Sequence, residues 1–320
     1  MLDGSYRRIG IALNNNTDAE LDYRQGYFVR RDFGVANTDT PEDRQRQLQQ
    51  VLWTMPDPAT DFNVAAEVNY FRLNNAESFV PVTVKIPVGE LISAKNNGAD
   101  GTDLDLIAEI KDTQGTTITR ITDLLKIRPD SPVTWNAGVV LLPGNYSIKI
   151  LARDDGAGRM GTFLGRFTIP NLNRDTQVPI SSVVLGSQIA DDTLSTYRAV
   201  PPVEIPSPLI LDGRRIVPSV TRMFSAKDDM YVYLQAFEKG AKTAAPLTAR
   251  VTFYRGPVKV LETAPVTVSE GLDPKSPMLP IRMNVGLSSL KPGEYDCQVT
   301  VLDPATQKSA LWQKPVTIVP

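Results

Sequence analysis

Histidine is missing from all 320 residues. Without an imidazole the chain cannot build a Ser-His-Asp or Cys-His nucleophile pair, nor a metal site with a histidine ligand. Cysteine is almost missing: Cys297 stands alone, so neither an internal disulfide nor a thiolate cluster can form. A single cysteine does not fix the redox compartment, because secreted bacterial proteins often manage without disulfides. No apolar run approaches the roughly 20 residues of a membrane-crossing helix, so no membrane insertion is expected. An excess of positive charge is lacking too. With 34 Lys and Arg against 36 Asp and Glu, the net charge is −2. The long-range attraction to phosphate on which non-specific nucleic-acid binding depends is therefore absent. Aromatic residues make up only 7%. Trp53, Trp135 and Trp312 lie in different elements. Packing in a core or between domains is their expected use, ahead of a sugar-stacking platform.

What the chain does contain is punctuation, and it is repeated. Twenty-five Pro and 21 Gly at short spacing, within 42% hydrophobic content, fit an all-β protein with many turns. Leu141-Leu142-Pro143-Gly144-Asn145-Tyr146 leads through Ile148, Ile150 and Asp154 to Thr168-Ile169. Leu290-Lys291-Pro292-Gly293-Glu294-Tyr295 leads through Val299, Val301 and Asp303 to Thr317-Ile318. The differences 292 − 143, 295 − 146, 303 − 154 and 317 − 168 all equal 149, which marks a duplicated unit of domain size. In each copy Pro presets a turn, and Gly is expected to supply a positive φ there. Alternating apolar residues then define a half-buried strand. A tyrosine at that point resembles the tyrosine corner of immunoglobulin-like sandwiches.

Taken in order, residues 1–35 read as a strand pair, from the weak alternation of Ile9, Ile11 and Leu13 and the stretch Leu21 to Val29. Two strands cannot bury a core alone, so they are expected to be the remnant of an upstream domain. Met1-Leu2-Asp3-Gly4-Ser5 has none of the basic and apolar character of a signal peptide, and a missing natural N-terminus is the favoured explanation. Within the helical linker 36–56, Thr40-Pro41-Glu42-Asp43 is a helix start, and Leu48, Val51, Leu52 and Met55 form one apolar stripe before Pro56. About seven strands at sandwich spacing follow in 57–173. A second set occupies 174–320, opening with a strand from Ile180 to Leu185. It carries a Pro-rich insert at 187–222, read as extended chain crossing between sheets, with a binding loop as the functional alternative. The expected architecture is two immunoglobulin-like β-sandwich domains in tandem, preceded by a short strand pair and one α-helix.

Several segments carry a resemblance. Tyr6-Arg7-Arg8-Ile9, Tyr23-Arg24-Gln25-Gly26-Tyr27-Phe28, Asp43 to Leu48, Glu67-Val68-Asn69-Tyr70-Phe71-Arg72-Leu73 and Phe79-Val80-Pro81-Val82 are among them. With Gly158-Arg159-Met160-Gly161 and Ile180 to Leu185, they resemble the C-terminal region of von Willebrand factor A-related secreted proteins of acidobacteria. That resemblance implies export and an upstream adhesion-type domain. The metal-binding Asp-x-Ser-x-Ser of such a domain occurs nowhere in this chain, so metal-dependent adhesion is not implied.

Candidate chemistry is sparse. Asp100, Asp103 and Asp105 lie in and beside a Gly-rich stretch and are weak calcium candidates, but the spacing misses the EF-hand pattern. The pairs Asp154-Asp155 and Asp228-Asp229 fall at turns, where side chains normally point into water. Cys297 is expected to be a buried, inert thiol. No catalytic residue, cofactor or metal is assigned. The function that follows is a non-catalytic extracytoplasmic structural or adhesion module, secreted or in the cell envelope, whose partner is another protein or a cell-surface component. A carbohydrate-binding module is the alternative, and a carboxylate-dependent hydrolase a more distant one.

Overall fold

Alternating apolar residues, cut at short intervals by Pro, Gly and Asn, commit the chain to strands, and every regular element among the described residues is β. The computed structural model describes residues 6–8, 26–28, 59–87, 91, 102–127, 133–154, 159–173, 177–191, 198–200, 207–211, 213–237, 246–269 and 278–320. Strands β1 (Tyr6–Arg8) and β2 (Gly26–Phe28) form a separate antiparallel pair. The helix expected before Pro56 lies outside the described residues. Among those residues no helix is long and apolar enough to cross a membrane.

The next strands are β3 (Ala65–Val68), β4 (Phe71–Arg72), β5 (Ser78–Ile86), β6 (Thr102–Lys111), β7 (Thr117–Ile127), β8 (Val133–Leu141), β9 (Gly144–Asp154) and β10 (Met160–Ile169). One sheet runs β10-β9-β6-β7, and the other contains β8-β5-β3 with β4 also on β5. Val80, Val82 and Val84 of β5 share one core with Leu104, Leu106 and Ile150 of the opposite sheet. That is the two-residue period of a strand with one face inward.

Then come β11 (Val184–Asp191), β12 (Arg198–Val200), β13 (Ile210–Leu211), β14 (Arg214–Pro218), β15 (Met223–Ser225) and β16 (Asp229–Phe237). They are followed by β17 (Leu247–Arg255), β18 (Val258–Glu262), β19 (Val266–Val268), β20 (Met278–Gly286), β21 (Gly293–Asp303) and β22 (Lys308–Val319). These build sheets β13-β14-β11-β16-β20 and β15-β22-β21-β17-β18, with β19 also on β17. Val232, Leu234 and Ile281 meet Val251, Phe253 and Val299 in a second core.

The duplication is visible strand by strand. Strands β9 and β21 share one offset at both ends, since 293 − 144 and 303 − 154 are each 149. Tyr146 Oη donates to the Leu142 carbonyl at 2.9 Å, and Tyr295 Oη donates to the Lys291 carbonyl at 2.7 Å. Each bond pins the turn before the strand to the strand itself. One of the two turn glycines differs from expectation. Gly293 has φ 147°, but Gly144 is not among the positive-φ residues. What Gly144 provides is room, because a Cβ at that position would lie 3.3 Å from the Tyr146 ring.

Two other expectations need correcting. Ile180 makes a single bridge to Ala236, and the strand begins only at Val184. The insert is not plain extended chain: β13 and β14 form a hairpin on β11, and β12 pairs in parallel with β8 of the first pair of sheets.

That crossing strand is one of several ties between the halves among the described residues. The second is a pair of hydrogen bonds: Ser182 N donates to the Tyr70 carbonyl at 3.0 Å, and Tyr70 N donates to Ser182 Oγ at 2.9 Å. The third is apolar. Phe71, fully buried, packs with Val184, Leu209, Ile216 and Tyr233, its ring centroid 6.0 Å from that of Tyr233. Beside it the Arg72 guanidinium lies 5.6 Å from the Phe237 ring centroid.

Two outcomes are expected. Phe71→Ala should lower stability by about 3 kcal/mol or more, as emptying a buried aromatic site does, and should split urea unfolding into two steps. Tyr146→Phe and Tyr295→Phe should each cost about 1 kcal/mol, the half-buried second bond more than the exposed first. Denaturation monitored by fluorescence and circular dichroism measures both.

Candidate functional site

A strand at the edge of a sheet leaves one row of backbone groups unpaired by its own sheet. In the first half β3 and β10 are such edges, one from each sheet. They line a cleft of about 930 Å³ whose far wall comes from the second half, through Ser182, Val183, Arg222, Trp312 and Lys314.

Strand alternation supplies two kinds of surface here. Phe163, Phe167 and Tyr146 turn toward the first core, and the Tyr146 and Phe167 rings stack with centroids 5.5 Å apart. Arg166, on the same strand but the opposite face, is exposed. Arg222 enters from the turn after β14, at φ 51°, a left-handed conformation that non-glycine residues seldom adopt. Its N–H donates to the Ser219 carbonyl at 2.8 Å, and its carbonyl accepts from Thr317 N at 2.9 Å, so the turn is fixed at both ends.

Glu67 is the unusual group. It lines the cleft from β3, only 8% exposed, and its Oε2 has no hydrogen-bond partner. Burial raises its pKa from the ordinary 4.5 to about 7, against the opposing pull of the Arg222 charge and a hydrogen bond from Asn69. Burial also pushes the neighbouring Tyr70 hydroxyl up to about 12. The second carboxylate of the cleft, Asp112, accepts from the N–H groups of Gln114 and Thr116 at 2.9 and 2.8 Å, which is the work of a hairpin turn. The cleft thus offers aromatic walls, three cations at its rim, an exposed strand edge and one buried acceptor.

The described acidic residues singled out from sequence fall elsewhere. Asp100 lies outside the described residues. Asp103 and Asp105 belong to β6 itself, opposite Lys126 and Leu124, and Asp105 is buried next to its cross-strand partner Arg153. Among the described residues no three acidic, Cys or His side chains come together as a metal site would require. Asp154 does not point into water as a turn residue should; it is fully buried. Its counterpart Asp303 does form a turn, where burial is outweighed by bonds from Thr306 and Ala305 that hold its pKa down. Asp228 and Asp229 also sit at a turn, with Asp229 Oδ2 accepting from Asn284 at 3.0 Å.

Trp53 lies outside the described residues. Trp135 is in the first core, its indole N–H donating to Asp123 at 3.0 Å, so it cannot join a stacking platform. Trp312 reaches the cleft. Cys297 is fully buried, and burial raises its thiol to about 12. Apart from Trp312 and Tyr146, sequence reasoning does not single out the site's own residues, although Glu67 to Phe71 stand within the stretch carrying the family resemblance. Their signal is a break in alternation, polar and aromatic residues side by side, which by itself names no chemistry.

No family model matches the chain, and no curated protein does. Among solved structures, a putative beta-galactosidase from Bacteroides fragilis is 13% identical, with a TM-score of 0.27 over 35% of this chain and 18% of that one. Bacteroides uniformis beta-glucuronidase 2 is 10% identical, with a TM-score of 0.25 over 76% of this chain and 26% of that one. The chain spans about a quarter or less of the length of either.

Two measurements follow. Cys297 should resist thiol reagents at pH 8 in the native protein and react fully once unfolded, as mass spectrometry will report. For Glu67 the folded pKa lies above the unfolded one, so its contribution to stability is complete below about 4.5 and is lost as pH rises through about 7. Glu67→Gln should therefore flatten the fall in stability across that window and make the protein more stable at pH 8, by up to about 3 kcal/mol. Urea midpoints from pH 4.5 to 8 measure the change.

Proposed function

We propose that the chain is a non-catalytic interaction module working outside the cytoplasm, in which two immunoglobulin-like β-sandwiches in tandem, 57–173 and 174–320, hold a protein or cell-surface partner in the cleft between them. The matched strand orders β3-β5-β8 with β10-β9-β6-β7, and β11-β16-β20 with β22-β21-β17-β18, support the immunoglobulin-like reading. The two tyrosine-to-carbonyl bonds support it further. The resemblance to secreted von Willebrand factor A-related proteins supports the extracytoplasmic setting.

The observation that carries the proposal is the junction. Domain pairs move freely unless an apolar, specific interface holds them. Here Phe71, the Tyr70–Ser182 bonds and the β12–β8 pairing fix the halves, which gives the cleft a preformed shape. Preformed sites bind without a large ordering cost. A polysaccharide ligand or a Glu67-dependent hydrolysis would use the same cleft differently, the first through Trp312 and the second through the raised acidity of Glu67.

Screening the labelled full chain against a random peptide display library, a glycan array and a panel of chromogenic glycosides separates these uses. The proposal expects selected peptides whose binding falls about tenfold or more in Trp312→Ala, with no glycan signal and no turnover. Glycan binding lost in Trp312→Ala, or turnover lost in Glu67→Gln, would contradict it.

A further inference from the structure

The duplication provides an internal comparison for one edge of the fold. In the second half the end of the outer edge of β22 is covered: β15 pairs with it in parallel over Thr317–Val319, Met223 opposite Thr317 and Ser225 opposite Val319. Thr317 corresponds to Thr168 by the shared offset, because 317 − 149 is 168. Among the described residues, strand β10, the counterpart of β22, ends its sheet with only β9 beside it. Those described before β3 pair only with the start of β10. Asp61 N donates to the Met160 carbonyl at 2.9 Å, Met160 N donates to Asp61 Oδ2 at 3.0 Å, and Thr60 bridges Gly161.

Those bonds also fix which way the edge points. If the N–H and C=O of Met160 face outward, strand alternation turns those of Leu164, Arg166 and Thr168 the same way. None of the described residues gives these three an outward backbone partner. Phe163, Gly165, Arg166, Phe167 and Thr168 all line the cleft, so the open part of the edge faces into it. A second, independent sign of a missing occupant is Glu67 Oε2, buried against the same space with no partner.

Resting on the reading of the cleft as a binding site, we propose that it takes an extended polypeptide segment that adds as a strand to the open edge of β10, with acidic and apolar side chains alternating. Backbone bonds to Leu164, Arg166 and Thr168 would supply the ladder, as in other cases of β-strand addition. Pairing across the new ladder sets the side-chain chemistry. On the inner face an apolar residue of the guest meets Phe163 or Phe167; on the outer face an acidic residue meets Arg166. Lys314 and Arg222, from the opposite wall, add to the positive rim. Glu67 Oε2 accepts a donor from the guest.

Short synthetic peptides alternating Val and Glu test this, with Val-Lys and backbone N-methylated Val-Glu peptides as controls, titrated into the full chain by calorimetry. Hydrogen exchange reads protection at Leu164, Arg166 and Thr168. The inference expects Val-Glu to bind about tenfold or more tighter than Val-Lys, and Arg166→Glu to reverse the preference. N-methylation should abolish binding, and the β10 amides should gain protection. Leu164→Pro, which removes one outward donor from an edge where proline is tolerated, should weaken binding without unfolding the protein. Equal binding of the two charge types, or no binding by any of the three, overturns the inference. Binding that Trp312→Ala abolishes but N-methylation leaves intact overturns strand addition while the peptide-binding cleft stands. Binding only to glycans, in the array above, removes both.

Discussion

The insertion of Phe71 into the second half is the contact on which the remaining geometry depends. A sandwich stabilises itself by burying apolar faces between its own sheets, and the two cores here share no residue. Nothing in that arrangement requires the two sandwiches to hold a set orientation. One phenylalanine surrounded by Val184, Leu209, Ile216 and Tyr233 does, because withdrawing it exposes a large apolar surface to water. The flanking Tyr70–Ser182 bonds add direction to an interaction that has none of its own. Residues 67–70, immediately before the plug, are thereby held across from Arg222 and Trp312, and the cleft exists as a consequence.

Duplication produced two similar frames, and their differences are where the proposed binding role enters. In the second half a turn after β14 sends the chain along the end of β22 as β15, covering that edge over Thr317–Val319. In the first half the chain takes the other route, from β3 through β4 into the junction, and β10 is left facing the cleft. An open edge is a hazard because it invites pairing with other chains. Placing it in a recess between two sandwiches, with Arg166 exposed on its outer face, limits what can approach. The left-handed Arg222 and the buried Glu67 are two further costs concentrated at this one place, a pattern common at sites with a task beyond folding.

Much of the frame was legible in the amino-acid sequence. The constant offset of 149 predicted equivalent strands, and β9 and β21 match it at both ends. Alternation placed the inward positions of β21 correctly, Cys297 included, since period-two burial is a local property. The absence of histidine and of paired cysteines narrowed the chemistry before any geometry was considered. What could not be read were pairings between distant segments. Strand β12 looked like Pro-rich connection because its partner β8 lies about sixty residues away and contributes no local signal. Asp154 looked solvated because its turn is polar in sequence, while its burial is set by the elements around it. Glu67 through Arg72 breaks the alternation of a strand. Its broken alternation records that this segment serves two neighbours at once, its own sheet through β5 and the second half through Ser182 and Tyr233.

The central claim is that the halves form one fixed unit with a ready-made cleft, and an interhalf distance measures this most directly. Lys126 on β7 and Lys259 on β18 are exposed positions in opposite halves, and the buried Cys297 will not compete for label. Spin labels at Lys126→Cys and Lys259→Cys, read by pulsed electron paramagnetic resonance, should give a single narrow distance distribution that broadens when Phe71→Ala is added. A broad or multimodal distribution in the otherwise unaltered chain would contradict the account.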